Sequence, residues 1–162
     1  VEENTMADWI EEGARAPAFT LSAHDGSTIA LSRLKGSPVV LYFYPKDDTP
    51  GCTREACEFR DASDRFAALG AVVLGVSRDS AAAHEKFRAK HRLPFALLVD
   101  ADHAVAEKYG AWREKTLYGK KSMGIVRSTF VIGADGRVAK VFRSVKPDGH
   151  AEQVLAALAD LA

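Results

Sequence analysis

The order of apolar segments predicts an α/β fold with a central mixed sheet and helices on both faces. Three observations carry this. From residue 39 to residue 109, short β-branched and aromatic runs alternate with segments of helical period, which implies right-handed crossovers between parallel strands. A hairpin pattern over residues 128–142 adds antiparallel strands. Another hairpin pattern, centred on Asp25-Gly26, precedes the alternation. At 162 residues and 47% apolar content, the chain is long enough to bury one ample core.

The elements follow in order. Residues 1–12 read as a lead-in and 13–162 as one domain. The chain starts at Val1 while Met6 offers an initiation residue, so residues 1–5 read as a processing product or an added remnant. Residues 7–16 read as exposed, with one helical turn around Trp9 and Ile10. Ala18–Leu21 and Ser27–Leu31 form the N-terminal β-hairpin, and Ser32–Gly36 a short turn. Val39-Val40-Leu41-Tyr42-Phe43-Tyr44 is a continuous apolar run, the mark of a strand buried on both faces. Pro45 ends it, because proline cannot donate to a ladder. From Cys52 the period changes: Cys52, Ala56, Phe59, Ala62, Phe66 and Leu69 share one helical face, and Gly70 fits a C-terminal cap. Asp61 and Arg65 form a helix-stabilising pair on another face. Residues 71–77 are a second buried strand, 80–91 a helix capped near Ser80, 95–100 a third strand and 103–109 a short helix stopped by Gly110. Residues 113–124 read as a basic, glycine-containing loop. Ser128–Ile132 and Arg137–Phe142 pair around Ala134-Asp135-Gly136, and residues 150–161 close the chain as a helix.

Both cysteines lie at the start of the helix after the central strand. Thr49 fits an N-cap, Pro50 the first helical position and Cys52 the third. The threonine oxygen is expected to accept from the Cys52 N–H. Unsatisfied N–H groups and the positive end of the helix dipole then surround the sulfur and favour the nucleophilic thiolate. Cys57 lies five residues on. In an unbroken helix that is about 140° around the axis, with Cα atoms roughly 8.7 Å apart, whereas a disulfide needs them within about 7 Å. Either the two never bond, or the first turns of the helix unwind when they do.

Composition excludes several classes. Twenty-two basic and 22 acidic residues balance, which argues against nucleic-acid or membrane-surface partners. No apolar run approaches the ~20 residues of a membrane span, and no signal-peptide pattern is present. Two cysteines suit a reducing, cytoplasmic compartment rather than a disulfide scaffold. The five histidines, His24, His84, His91, His103 and His150, show no metal-ligand spacing and read as surface residues. Lys46, Asp47 and Asp48 read as a solvated loop. Lys115, Lys120 and Lys121 read as solvated faces on a loop within range of the cysteine helix. Balanced charge without an apolar surface stretch favours a monomer, with a weak dimer as the alternative.

The stretch from Tyr44 to Asp61 resembles the active-site segment of the peroxiredoxins, whose Pro-x-x-x-Thr-x-x-Cys signature falls on Pro45, Thr49 and Cys52. A second cysteine five residues on is similar to the bacterioferritin comigratory protein, or peroxiredoxin Q, branch. Tyr109–Trp112, Tyr118–Ile125 and Arg127–Ile132 resemble the same branch. The resemblance implies a thioredoxin-like fold and a thiol-dependent peroxidase acting on hydrogen peroxide and organic hydroperoxides, without metal, haem, flavin or selenium. It implies Cys52 as peroxidatic and Cys57 as resolving cysteine, joined as a disulfide that a thioredoxin- or glutaredoxin-type donor reduces. Thr49 then hydrogen-bonds thiolate and peroxide, Arg127 is the active-site arginine, Glu55 holds that arginine and Pro45 shields the pocket. A disulfide oxidoreductase, redox sensor or holdase on the same fold is the alternative, weakened by the lack of a Cys-x-x-Cys pair.

Overall fold

A computed structural model describes residues 8–161; the reading of Val1 and Met6 falls outside them. Among the described residues, nine strands and five helices run in the order β1 (Thr20–Ala23), β2 (Thr28–Ala30), β3 (Val39–Phe43), α1 (Pro50–Asp61), α2 (Ser63–Ala68), β4 (Val72–Ser77), α3 (Ala81–His91), β5 (Ala96–Val99), α4 (Ala104–Tyr109), β6 (Trp112–Leu117), β7 (Lys120–Ile125), β8 (Ser128–Ile132), β9 (Val138–Phe142) and α5 (His150–Ala159). A short 3₁₀ turn, Leu31–Leu34, joins β2 to β3.

Seven strands form one mixed sheet in the order β2-β1-β5-β4-β3-β8-β9. The β3-β4 and β4-β5 pairs are parallel, and β3 pairs antiparallel with β8. The apolar run of β3 sits at the centre, with every residue buried. Its alternation assigns each side chain to a layer. Val40, Tyr42 and Tyr44 face a cluster built with α1, α2, α3 and α5. Val39, Leu41 and Phe43 face a second cluster built with α4 and the segment around Ala16 and Phe19. The expected α/β architecture with helices on both faces is therefore present.

Several local expectations are corrected. The single helix expected from residue 50 to 69 is two, because Ala62 leaves helical geometry (φ −96°, ψ 6°). The bend keeps Phe59, Ala62 and Phe66 all buried. It also breaks the Asp61–Arg65 pairing: Arg65 instead forms a fork with Glu152 of α5. The basic loop expected at 113–124 is the β6-β7 hairpin, which among the described residues pairs only with itself. Tyr118 and Gly119 both take positive φ (53° and 78°), the geometry of a two-residue hairpin turn.

Residues 8–16 are mostly exposed, but Trp9 and Ile10 are half-buried and docked, and no helical turn forms at Trp9. Trp9 packs near Phe130, and the Arg113 and Arg143 guanidiniums each lie against its ring. Gly110 makes this possible. A Cβ there would meet the Trp9 Cα at 2.5 Å, and its φ of 89° ends α4 in the left-handed region.

Two of the five histidines are fully buried, contrary to expectation. His150 engages the Thr129 hydroxyl at 2.7 Å and Gln153 at 3.0 Å. His84 is held between Leu98 of β5 and Asp47 of the loop before α1.

Candidate active site

The loop from Tyr44 to Thr49 joins the central strand to α1 and is set from beneath. Asp47, expected in solvent, is buried. Its carboxylate accepts from the Tyr44 hydroxyl at 2.6 Å and faces His84 Nδ1 at 2.6 Å. His84 Nε2 lies 2.8 Å from the Leu98 carbonyl, and the Asp47 N–H donates to Asp79 at 2.9 Å. Asp47, Asp79 and His84 bring ligand-type atoms within 4.8 Å of one another. All three side chains are already engaged in hydrogen bonds within the protein. Asp48 takes a left-handed φ of 60°, and its carboxylate is bound by Lys90 and His91 of α3. The loop is thus fastened to α3 through two consecutive aspartates.

Thr49 occupies the N-cap position in extended geometry, and Pro50 opens the helix. The expected side-chain cap is not formed. The Thr49 hydroxyl donates to the Lys46 carbonyl at 2.8 Å instead, tightening the loop. Pro45 is half-buried at the start of this loop.

Cys52 is 2% exposed and packs into the cluster of Tyr42, Ala56 and Phe59. Arg127, immediately before β8, reaches it across the sheet: Nη2 lies 3.3 Å from the Cys52 sulfur and Nη1 2.6 Å from Glu55 Oε1. The Arg127 side chain is only 15% exposed. Antiparallel β3-β8 pairing explains the meeting, since Phe43 pairs with Ser128 at the same sheet edge where α1 begins. Burial pushes the Glu55 carboxyl up to about 7, against the pull of Arg127. Its second oxygen has no partner among the described residues. For Arg127, burial opposes the charge, but Glu55 and the Cys52 sulfur outweigh it and hold the guanidinium above its ordinary range.

Both sulfurs are free thiols, and Cys57 is half-buried one and a half turns along α1. One contributor, Gly51, escaped sequence reasoning, and another, Lys115, was read there as a solvated face. Gly51 leaves room for the arginine: a Cβ there would stand 3.1 Å from Arg127 Nη2. Lys115 of β6 lies within electrostatic reach of Arg127 and the Cys52 sulfur. A Tyr-Gly pair between two six-residue segments was the available signal for the hairpin that brings it there.

A buried thiol at a helix start, paired with a guanidinium anchored by a carboxylate, is a site for nucleophilic sulfur chemistry. The AhpC/TSA family model matches residues 13–141 of the chain. The chain belongs to the AhpC/TSA family. Within it, the chain is 51% identical to peroxiredoxin Bcp of Bacillus subtilis over 152 residues, covering 94% of this chain and 97% of that protein. It is 50% identical to the putative peroxiredoxin Bcp of Coxiella burnetii over 149 residues, covering 92% and 99%. Xanthomonas campestris peroxiredoxin Q superposes with a TM-score of 0.87 at 42% identity, covering 92% of this chain and 97% of that one. The bacterioferritin comigratory protein of Xanthomonas campestris, solved with trapped intermediates and ligand in connection with its alkyl peroxide reduction, superposes with a TM-score of 0.87 at 41% identity over 93% of this chain and 98% of that one. The chain is thus a peroxiredoxin of the bacterioferritin comigratory protein and peroxiredoxin Q branch, a thiol-dependent peroxidase with the thioredoxin-like fold. Among the described residues, no helix is long and apolar enough to cross a membrane.

Proposed function

We propose that Cys52 is the peroxidatic thiol of this peroxidase and that Cys57 resolves it. The observation that carries the reading is the Arg127 fork, with one nitrogen on the Cys52 sulfur and the other on buried Glu55. The Cys52 thiolate attacks the terminal oxygen of a hydroperoxide. An S–O bond forms, the O–O bond breaks, and the departing oxygen takes up a proton to leave as alcohol or water. Negative charge moves from sulfur to the leaving oxygen, so fixed donors at that place act most strongly. Arg127 supplies one, held by Glu55, and the N–H groups of the α1 first turn supply others. Thr49, three residues before the sulfur, gives its own proton to the Lys46 carbonyl and so offers its hydroxyl oxygen as an acceptor for the hydroperoxide O–H, and Pro45 closes the loop against water.

The Cys52 sulfenic acid then meets Cys57. The Cys57 thiolate attacks the Cys52 sulfur, the S–S bond forms and hydroxide leaves as water. The helical spacing requires the first turn of α1 to unwind for this step. The packing of Ala56 and Phe59 into the core makes the later turns the fixed end. A thioredoxin- or glutaredoxin-type donor reduces the disulfide by thiol exchange. Hydrogen peroxide and organic hydroperoxides are the substrates, the compartment is the cytoplasm, and residues 13–162 act as one domain, as a monomer.

The test is peroxide consumption with a dithiol donor by the Cys52→Ser and Cys57→Ser proteins. The first is expected to lose activity entirely. The second is expected to react once and stall as a sulfenic or over-oxidised acid. Turnover by Cys52→Ser would refute the assignment.

A further inference from the structure

Lys115 stands apart from the other lysines of the β6-β7 hairpin. Lys120 and Lys121 are exposed, while Lys115 is half-buried. Its stem crosses the facing strand over Gly124, where a Cβ would meet the lysine Cδ at 3.0 Å. The glycine therefore opens the path that brings the ammonium inward. At its end the Nζ donates to the Ile125 carbonyl at 2.8 Å, two residues before Arg127. An ammonium has three donors, and this bond uses one. No carboxylate pairs with Lys115 among the described residues. Two ionisable groups act on it: Arg127, which repels it, and the Cys52 sulfur, which attracts it.

A half-buried ammonium without a carboxylate is costly to hold. Burial first, and Arg127 next, lower its pKa, while Cys52 opposes them. A lysine whose proton is loosened in this way is a better acid than one in water. The reaction needs such a group. Arg127 stabilises charge but does not release a proton, because guanidinium stays protonated. The leaving alkoxide or hydroxide must gain one as the O–O bond breaks.

We propose that Lys115 is a catalytic residue of peroxide reduction, the acid that protonates the leaving oxygen. This rests on Cys52 being the nucleophile. The step balances: thiolate, hydroperoxide and ammonium give sulfenic acid, alcohol and neutral amine. The S–O bond forms with the sulfur's electron pair, and the O–O electrons leave with the alcohol oxygen, which takes the Lys115 proton. Solvent then restores the ammonium.

The experiment measures the second-order rate of Cys52 oxidation with two peroxides, tert-butyl hydroperoxide and peracetic acid. The alkoxide leaving group needs a proton as the bond breaks; the acetate leaving group is already stable. Lys115→Gln is expected to slow the alkyl hydroperoxide by about 10²-fold, the lower range for general acid catalysis, and the peracid by less than about threefold. In the native protein the alkyl hydroperoxide rate falls at alkaline pH, beginning below the ordinary lysine range, because only the ammonium donates; Lys115→Gln lacks that limb. Lys115→Arg keeps the charge and is expected to recover only part of the rate. Gly124→Ala pushes the stem aside with Lys115 still present, and is expected to show the same selectivity in weaker form. Equal losses with both peroxides, no loss at all, or full recovery by Lys115→Arg would overturn the proposal. Peroxide consumption by Cys52→Ser would instead remove the reading beneath it, so the two failures are told apart.

Discussion

The Cys52 sulfur is contacted by a residue 75 positions away in the chain. Arg127 touches Cys52, and Glu55 keeps the guanidinium from swinging out. That dependence is testable at Gly51, whose missing Cβ admits the Arg127 nitrogen. Gly51→Ala is expected to slow Cys52 oxidation about three- to tenfold, the scale of a sub-ångström misplacement. Thermal stability should hold or rise, since alanine favours a helix over glycine. Equal rates for the two proteins would show that the guanidinium position does not matter. Glu55 gives a pH signature. Its carboxyl sits at about 7 in the folded protein, against 4.5 as an ordinary carboxyl. Between those values the folded state keeps a proton that the unfolded state releases, so this group's contribution to stability falls as pH rises. Urea unfolding from pH 4.5 to 7 should show native stability declining relative to Glu55→Gln; a constant difference would contradict the burial argument. The place of Cys52 in the first turn of α1 was legible from residue types and spacing, because Pro50 and the change of period mark a helix start whatever lies around it. The Thr49 cap was not: extended geometry arrived as expected, but the Lys46 carbonyl captured the hydroxyl. Asp47 was misread because its partners Tyr44 and His84 become visible only when α3 packs over the loop.

At the scale of elements, strong periodicity translated directly. The β3 run, the start of α1 at Pro50 and the β8-β9 hairpin all formed where the sequence pattern placed them. The β6-β7 hairpin was hidden because it buries little. Its strands carry Lys115, Lys120 and Lys121, and Leu117 and Tyr118 stand 66% and 97% exposed at its tip. With so few buried positions, at Ile125 and partly at Trp112, Arg113, Lys115 and Gly124, there is no regular alternation to read. The docking of Trp9 was hidden for a related reason, since its contacts come from a ring and guanidiniums far along the chain. Gly110 joins these two regions, as it ends α4 and accepts the Trp9 backbone against it. Gly110→Ala is expected to destabilise the fold by at least about 2 kcal/mol, from the left-handed backbone and the clash together. Chemical denaturation measures this, and a loss under about 0.5 kcal/mol would show that the segment undocks freely.

For the molecule as a whole, two apolar layers enclose the central sheet, and the sulfur lies at the rim of one of them. His150 is bonded inside that same layer, and burial lowers its pKa below 6.5. Below pH 6.5 the unfolded chain therefore gains a proton that the folded chain refuses, and stability falls with acidification through this group. His150→Gln is expected to flatten the decline between pH 6.5 and 5; an unchanged slope would assign it to other groups. The central claim, however, is that Cys52 takes the oxygen and Cys57 reaches it by unwinding the first turn of α1. Mass spectrometry of the protein after one equivalent of hydroperoxide tests it most directly. The account predicts a chain two hydrogens lighter, with the Cys52 and Cys57 peptides joined; both thiols intact after treatment, or Cys52 over-oxidised beside a free Cys57, would contradict it.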